Sequence, residues 1–424
     1  MPLSSGDTET RALQTGFAKQ MHAICENDPI SRLGVAVSGG GDSMALLRLA
    51  HNWAQQHGKT LMVATVDHGL RAASASEAAM VARCAARLGL RHDTLQWHGW
   101  DGRGNLQDNA RQARKHLLSH WARTHALDAV ALGHTRDDQA ETFLMRLARG
   151  SGVEGLSGMA ARDASHGTIW LRPLLATGRA ALRDHLRAIA QDWIEDPSNL
   201  DTRFDRIKAR TALDHLAALG LDSQQLAQTA QRLRAARDSL DFLANAQATR
   251  ILTLDHGDFI FDADALDALP QDTRTRLLAR ALQAISANPY RPRLDALQAA
   301  LNTGTRATLH GCLLTRSKTH IRITREYNAV ARSRAPLGHV WDSRWHISPT
   351  GAPPEHAQDL HIAALGPAGA DQCRPRDIWR LPYASLIASP AIWRGTTLIA
   401  APLAMPDCGW QAETHHNWPK PRIS

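Results

Sequence analysis

Asp137, Asp138 and Glu141 stand together in the peptide Gly133-His134-Thr135-Arg136-Asp137-Asp138-Gln139-Ala140-Glu141-Thr142, which follows the apolar run Ala129-Val130-Ala131-Leu132. Asp137 and Glu141 are four residues apart at a helix start, so they share one face. The plain reading is that these acids complement the helix dipole. Acids grouped at a strand end can also hold a divalent cation, take up an ammonium, or accept a proton. A second group is Ser38-Gly39-Gly40-Gly41-Asp42-Ser43, between Leu33-Gly34-Val35-Ala36-Val37 and a helix-like run from Met44. A strand that turns through glycines into a helix cradles phosphate, because the backbone approaches closely and the first helix N–H groups lack intrahelical partners. The loop lacks the Lys-Ser/Thr ending of a Walker motif and carries Asp42 instead. An acid beside a phosphate needs a cation between them, so a magnesium nucleotide is implied, with Asp42 as protein ligand. The plain reading here is a tight turn capped by Asp42 or Ser43. A third group, Asp67-His68-Gly69-Leu70-Arg71, ends another apolar run; its acid is placed to meet a ribose or base, while His68 alone reads as structural. No HExxH or paired Cys/His pattern is present, which argues against protein-bound zinc.

The elements around these groups alternate strand and helix. Strands are expected at 33–37, 61–66, 92–97 and 128–133, with helices to about 57, over 77–88, over about 106–125, and from 137. The alternation predicts an α/β fold with a doubly wound parallel sheet, and ligands at the carboxyl ends of its strands. All three polar groups fall at such ends. A glycine-rich loop at 150–161 has the length of a lid or binding loop. Residues 170–175 read as a further short strand. A helix over 179–192 places Arg179, Arg183 and Arg187 on one face, and the charged stretch 195–210 reads as a domain boundary. Helices follow to about 284, including Arg232, Arg234 and Arg237 on a face that suits either solvent or RNA. Shorter β-like runs appear near 307–324. The tail holds Trp341, Trp345, Trp379, Trp393, Trp410 and Trp418, expected mostly in the core of a small β-containing module, with a minority facing RNA.

A chain of 424 residues is too long for one core. Its formal net charge is +8 and its basic residues are mostly arginine, whose planar fork suits phosphates and bases; this favours a nucleic-acid partner. Five cysteines (Cys25, Cys84, Cys312, Cys373, Cys408) lack metal or redox spacing, as expected of free thiols in a reducing cytoplasm. No apolar run is long enough to span a membrane, and the start of the chain lacks a signal-peptide pattern.

The 38–43 peptide matches the SGGxDS loop of the N-type ATP pyrophosphatases, the PP-loop superfamily, which split ATP between the α- and β-phosphates. Within it the chain resembles the tRNA(Ile)-lysidine synthetases. The resemblance rests on 66–71, Asn109-Ala110-Arg111-Gln112-Ala113-Arg114, 133–159, Arg172-Pro173-Leu174-Leu175, and Asp196-Pro197-Ser198-Asn199 followed by Phe204, Arg206 and Arg210. These cover about 33–210 in family order; Ile207 departs from the family's asparagine. The resemblance implies a PP-loop catalytic domain at 1–210, a mainly helical tRNA-binding domain at 211–330, and a C-terminal tRNA-binding module at 331–424. It implies ATP and Mg2+ as cofactors, with L-lysine and a tRNA(Ile) bearing a CAU anticodon as partners. The wobble cytidine would become lysidine, changing codon reading from AUG to AUA. ATP would be held by Ser38, Gly39, Gly40, Gly41, Asp42 and Ser43, with Asp67 and His134. Catalysis would fall to Asp42, Arg111, Asp137, Asp138, Glu141 and Arg206, and tRNA binding to Arg114, Arg149, Arg179, Arg206 and Arg210. A homodimer is an arrangement open to such a chain. Two rivals are a tRNA thiolase of the same superfamily, disfavoured by the lack of a cysteine pair, and a non-catalytic RNA-binding adaptor, disfavoured by the retained acids.

Overall fold

A computed structural model describes residues 5–26, 28–69, 74–98, 106–195, 205–351, 357–414 and 418. Arg71, the 196–199 peptide and Phe204 lie outside them. The chain packs as two compact units, Met1–Arg237 and Asp238–Ser424.

The first unit is built on a six-stranded sheet in the order β3-β2-β1-β4-β6-β5. Its strands are β1 (Arg32–Ala36), β2 (Thr60–Asp67), β3 (Arg91–Gln96), β4 (Ala129–Leu132), β5 (Arg162–Ser165) and β6 (Thr168–Leu171). All pair in parallel except β5, which forms an antiparallel hairpin with β6. The helices are α1 (Ser5–Cys25), α2 (Gly41–Gln56), α3 (Ser74–Arg87), α4 (Leu106–Thr124), α5 (Arg136–Leu147), α6 (Val153–Leu156), α7 (Arg179–Ala188) and α8 (Asp205–Ala217), with α9 (Ser223–Ile251) crossing the boundary between units. Near-continuous apolar runs in β1, β2 and β4 are what a sheet covered on both faces demands. One apolar cluster joins Leu33, Val35, Leu46, Leu47 and Val63 to Leu182 and Leu186 of α7; another joins Ala64 and Val130 to Leu118 and Trp121 of α4. The parallel doubly wound fold expected from the alternation is therefore present. The chain runs outward from β1 to β3 and returns to place β4 on the other side of β1, and that reversal opens a crevice at the carboxyl ends of β1 and β4. The unit continues past Arg210 because α8 packs against α5.

The second unit holds a five-stranded antiparallel sheet, β7 (Leu252–Asp255), β8 (Asp258–Asp262), β9 (Arg306–Leu309), β10 (Cys312–Arg316) and β11 (His320–Arg325), in the order β7-β8-β11-β10-β9. Helices α10 (Ala263–Asp267), α11 (Gln271–Ser286) and α12 (Leu294–Asn302) accompany it. The middle of the chain thus carries more sheet than its helical periodicity suggested. Phe259, Phe261, Ile321 and Ile323 pack against Leu278, Leu282 and Ile285 of α11, so the strands' alternation supplies the inner face. Beyond them lie β12 (Arg334–Pro336), β14 (His361–Ala364), β15 (Pro390–Arg394) and β16 (Thr397–Ala400) in one sheet, and β13 (Trp345–Pro349) paired with β17 (Trp410–Thr414). Trp341 and Trp345 are buried there, Trp379, Trp393 and Trp410 pack against the same core, and Trp418 meets Phe259 edge-on at 5.4 Å. The tryptophans act mainly as core.

Candidate active site

The loop after β1 opens α2 at Gly40, without a side-chain cap. Met44 N–H donates to the Gly40 carbonyl at 3.0 Å, the first bond of the helix. The expected caps are absent: Ser43 Oγ donates back to the Gly40 carbonyl (2.8 Å) and accepts from Ser38 N–H (3.2 Å), while Asp42 turns toward Arg179. Among the described residues the helix start therefore has no side-chain cap on its first N–H groups, which is the condition an anion cradle requires. Two glycines shape it. Gly39 has φ +89°, and a side chain there would meet Ile194. A Cβ at Gly133 would lie 3.1 Å from Ser43 Cα and 3.2 Å from the Asp42 carbonyl oxygen, so any other residue would force the end of β4 and the loop backbone apart by a few tenths of an ångström. Ile194 N–H donates to the Gly39 carbonyl (2.9 Å), and Trp193 lies against Gly41, so the segment after α7 forms another wall of the loop.

Thr135 caps α5 in a reciprocal box with Asp138. Asp138 Oδ2 accepts from the Thr135 N–H (2.8 Å) and Oγ1 (3.0 Å). Asp137 Oδ2 accepts from the Arg179 backbone N–H at 2.7 Å. Glu141 is 1% exposed; its Oε1 faces Arg179 (3.2 Å) and Arg210 (3.0 Å), while its Oε2 is buried with no hydrogen-bond partner among the described residues. The Arg179 guanidinium also donates to Asp42 Oδ2 (3.0 Å) and Asp138 Oδ1 (3.3 Å). Sequence reasoning gave Arg179 to tRNA; the structure puts its guanidinium among the acids, 17% exposed. Burial works to discharge it, but Asp138, Asp42 and Glu141 outweigh that and hold its pKa above the ordinary value. Burial raises the Asp42 carboxyl despite Arg179. Burial also acts to raise Asp138, yet Arg179 and the Thr135 N–H keep it below the usual range.

A cationic group lies beside the acids. Arg114 of α4 is half-buried, and desolvation together with the like charges of Arg111, Arg206 and Arg172 lowers it to about 10. Arg172, given no role from sequence, is anchored by the Ala160 carbonyl at 2.9 Å. His134, next to Asp138, Arg172, Arg114 and Arg206, is held down to about 3 by burial above all, and its Nδ1 has no partner among the described residues. Asp67 ends β2 on the far side of β1 from β4; its Oδ1 accepts from Gly69 N–H at 2.9 Å, which with Ser74 lowers its pKa. Arg149 stands apart from the crevice acids, in an exposed 3.0 Å pair with Asp205. The 150–161 loop is pinned rather than lid-like. Gln139 exchanges two hydrogen bonds with Met159 (2.9 and 2.7 Å), and Arg146, Arg234 and Arg237 bond to Gly155, Ser157 and Gly158. That bonding also takes Arg234 and Arg237 out of the solvated face expected for them.

A glycine-turned helix start, facing acids across a parallel-sheet reversal, defines a PP-loop nucleotide site; the PP-loop domain family matches residues 13–216. A curated relative, the tRNA(Ile)-lysidine synthase of Ruegeria pomeroyi, is 47% identical over 404 residues, covering 94% of each chain. That of Bradyrhizobium diazoefficiens is 42% identical over 289 residues, 66% of this chain and 79% of the relative. The chain belongs to the tRNA(Ile)-lysidine synthase family. Among solved structures, the U34-tRNA thiolase NcsA from Methanococcus maripaludis is 15% identical with a TM-score of 0.46, covering 53% of this chain and 80% of that one.

Proposed function

We propose that the protein is an ATP-dependent tRNA-modifying ligase that joins L-lysine to carbon 2 of the wobble cytidine in a tRNA(Ile) with a CAU anticodon, forming lysidine. The likeness to the Ruegeria pomeroyi synthase over 94% of both chains carries this reading. The geometry supports it by pairing a phosphate cradle with buried acids. Oxygen 2 of cytosine attacks the α-phosphorus of ATP; the bond to the β-phosphate bridge breaks and pyrophosphate leaves. The ε-amine of lysine then attacks carbon 2, the carbon–oxygen bond breaks, and AMP leaves.

Charge is the obstacle to the first step. The backbone of the 38–43 loop receives phosphate, and Arg111 and Arg206, near Arg114 and Arg172, offset charge on the adenylate or the tRNA. Among the described residues no group of three or more acidic, His or Cys side chains is placed to hold a metal ion. Asp42, whose burial Arg179 does not fully compensate, fits an ion shared with nucleotide phosphates and water. Magnesium held there would offset phosphate charge. The second step needs a neutral amine. The buried Glu141 Oε2, unpartnered among the described residues, suits an ammonium that donates to it, and Asp137 or Glu141 accepts the proton. Residues 211–330 and 331–424 are proposed to bind the rest of the tRNA, and free cysteines suit a cytoplasmic site of action. Among the described residues no helix is long and apolar enough to cross a membrane.

The test is incorporation of labelled lysine into a tRNA(Ile) transcript bearing CAU. Pyrophosphate release is expected to require that tRNA, and AMP release to require lysine as well. Pyrophosphate release without tRNA, or no lysine incorporation, overturns the reading.

A further inference from the structure

We propose that Arg179 is a positioning residue that joins the two halves of the active site, holding Asp42 of the nucleotide loop together with Asp138 and Glu141 of α5, and that it is not a tRNA contact. The inference rests on the function proposed above.

The guanidinium spends one nitrogen on each acid: Nε on Asp42 (3.0 Å), Nη1 on Glu141 (3.2 Å) and Nη2 on Asp138 (3.3 Å). A planar fork can serve three separate carboxylates in this way; a lysine ammonium is a point charge on a flexible stem. The backbone is fixed as well. The Arg179 N–H donates to Asp137, and Arg136 N–H donates to the Thr177 carbonyl at 3.0 Å, so the starts of α5 and α7 are tied directly. A Cβ at Gly178 would lie 2.6 Å from Arg136 Nη2, so the Arg136 side chain also packs over the start of α7. α7 is held from below by Leu182 and Leu186, both fully buried in the core under the sheet. Arg179 therefore issues from a rigid element, and a tRNA phosphate would have to draw it from three carboxylates to gain one.

Without Arg179, Asp42 and the α5 acids face one another across the crevice, with Arg210 still paired to Glu141 and with Arg183 and Arg206 acting on Asp42 and Asp138 only through longer-range charge. Like charges held close push side chains apart, and the loop and α5 lose their common anchor. Both half-reactions then suffer, because one needs Asp42 and the other Glu141 in place.

The experiment uses the full chain, with Arg179→Ala and Arg179→Lys, and measures tRNA-dependent pyrophosphate release, lysine-dependent AMP release and tRNA affinity. In the Ala variant, kcat of both half-reactions is expected to fall on the order of 10²-fold, as misplaced catalytic groups do. tRNA affinity and its salt dependence stay at the wild-type level. Added guanidinium ion restores part of the Ala variant's rate and does not raise the wild-type rate. The Lys variant lies between, and it carries the test if the Ala variant does not fold. Wild-type rates in either folded variant, a loss confined to tRNA affinity, or a rate loss in the Ala variant that guanidinium leaves untouched overturns the inference. A wild-type protein that releases no pyrophosphate with ATP and tRNA(Ile) overturns the proposed function instead, so the two failures are distinct.

Discussion

Arg210 of α8 reaches Glu141 of α5, 69 residues earlier in the chain, with Nε and Nη2 each 3.0 Å from Oε1. Arg179 takes the same oxygen, so among the described residues the carboxylate is loaded on one side and bare on the other. A buried oxygen left without a donor costs free energy unless a ligand supplies one. Glu141→Gln keeps the shape and removes the charge. The lysine-dependent release of AMP is expected to fall on the order of 10²-fold, while tRNA-dependent pyrophosphate release stays within a few-fold of wild type. Equal losses in both half-reactions would remove Glu141 from the lysine step. Measuring the two product releases separately decides it.

Asp42→Asn tests the other half. Asp42 sits in the first turn of α2 beside the cradle, and its charge, not its size, distinguishes this loop from one with a Walker lysine. Pyrophosphate release is expected to fall on the order of 10²-fold, with a stronger demand for magnesium in the residual activity. Release at the normal rate would sink the assignment of the loop.

Much of this site is legible in the sequence. Strand-terminal placement of 38–43, Asp67 and 133–141 follows from apolar runs alone, because a parallel sheet buried on both faces needs them and its carboxyl ends must then carry the polar turns. The β5–β6 hairpin is less legible, since Arg162–Ser165 has no apolar alternation to announce a strand. Arg179 shows the deeper limit. Spacing puts it on a helix face with Arg183 and Arg187, which is correct locally, yet the three diverge: Arg179 enters the acids, Arg183 approaches Glu195 at 3.9 Å, and Arg187 pairs with Asp184 at 2.7 Å. Periodicity names a face; only tertiary packing says what the face meets. Arg234 and Arg237 leave the solvated face for the same reason, since their partners lie 76 to 80 residues earlier in the chain. The Thr135–Asp138 capping box, by contrast, is local, and it shows that one of the three α5 acids is also structural.

Gly133→Ala probes the closeness of β4 to the loop. The added methyl would meet backbone atoms of Asp42 and Ser43 at 3.1–3.2 Å, and backbone cannot swing away as a side-chain tip can. The variant is expected to lose about 1–3 kcal/mol of stability, as overpacked sites do, and to raise KM for ATP while leaving tRNA affinity unchanged. Gly58, with nothing within 4 Å of its Cβ position but φ +61°, is the control: Gly58→Ala strains the backbone and leaves KM for ATP alone. An unshifted KM in Gly133→Ala would mean that the loop tolerates a looser fit than its packing implies.

His134 sets an acid limit on stability. Burial holds its pKa down to about 3 against an ordinary 6.5; Asp138 works the other way, and Arg172, Arg114 and Arg206 add to the depression. The folded state therefore keeps His134 neutral at pH values where the unfolded chain protonates it. Between about 6.5 and 3 the unfolded state binds the extra proton, so unfolding free energy falls as pH falls, by at most about 1.4 kcal/mol per unit from this one group. Above 6.5 both states are neutral and the contribution is constant. His134→Gln retains hydrogen-bonding capacity and removes the titration. The wild type's stability relative to this variant, from urea unfolding, is expected to be flat above pH 6.5 and to decline below it. Parallel curves down to pH 4 would show that the imidazole is not held neutral by its surroundings, and with it would go the view that a neutral His134 sits among those arginines at the end of β4.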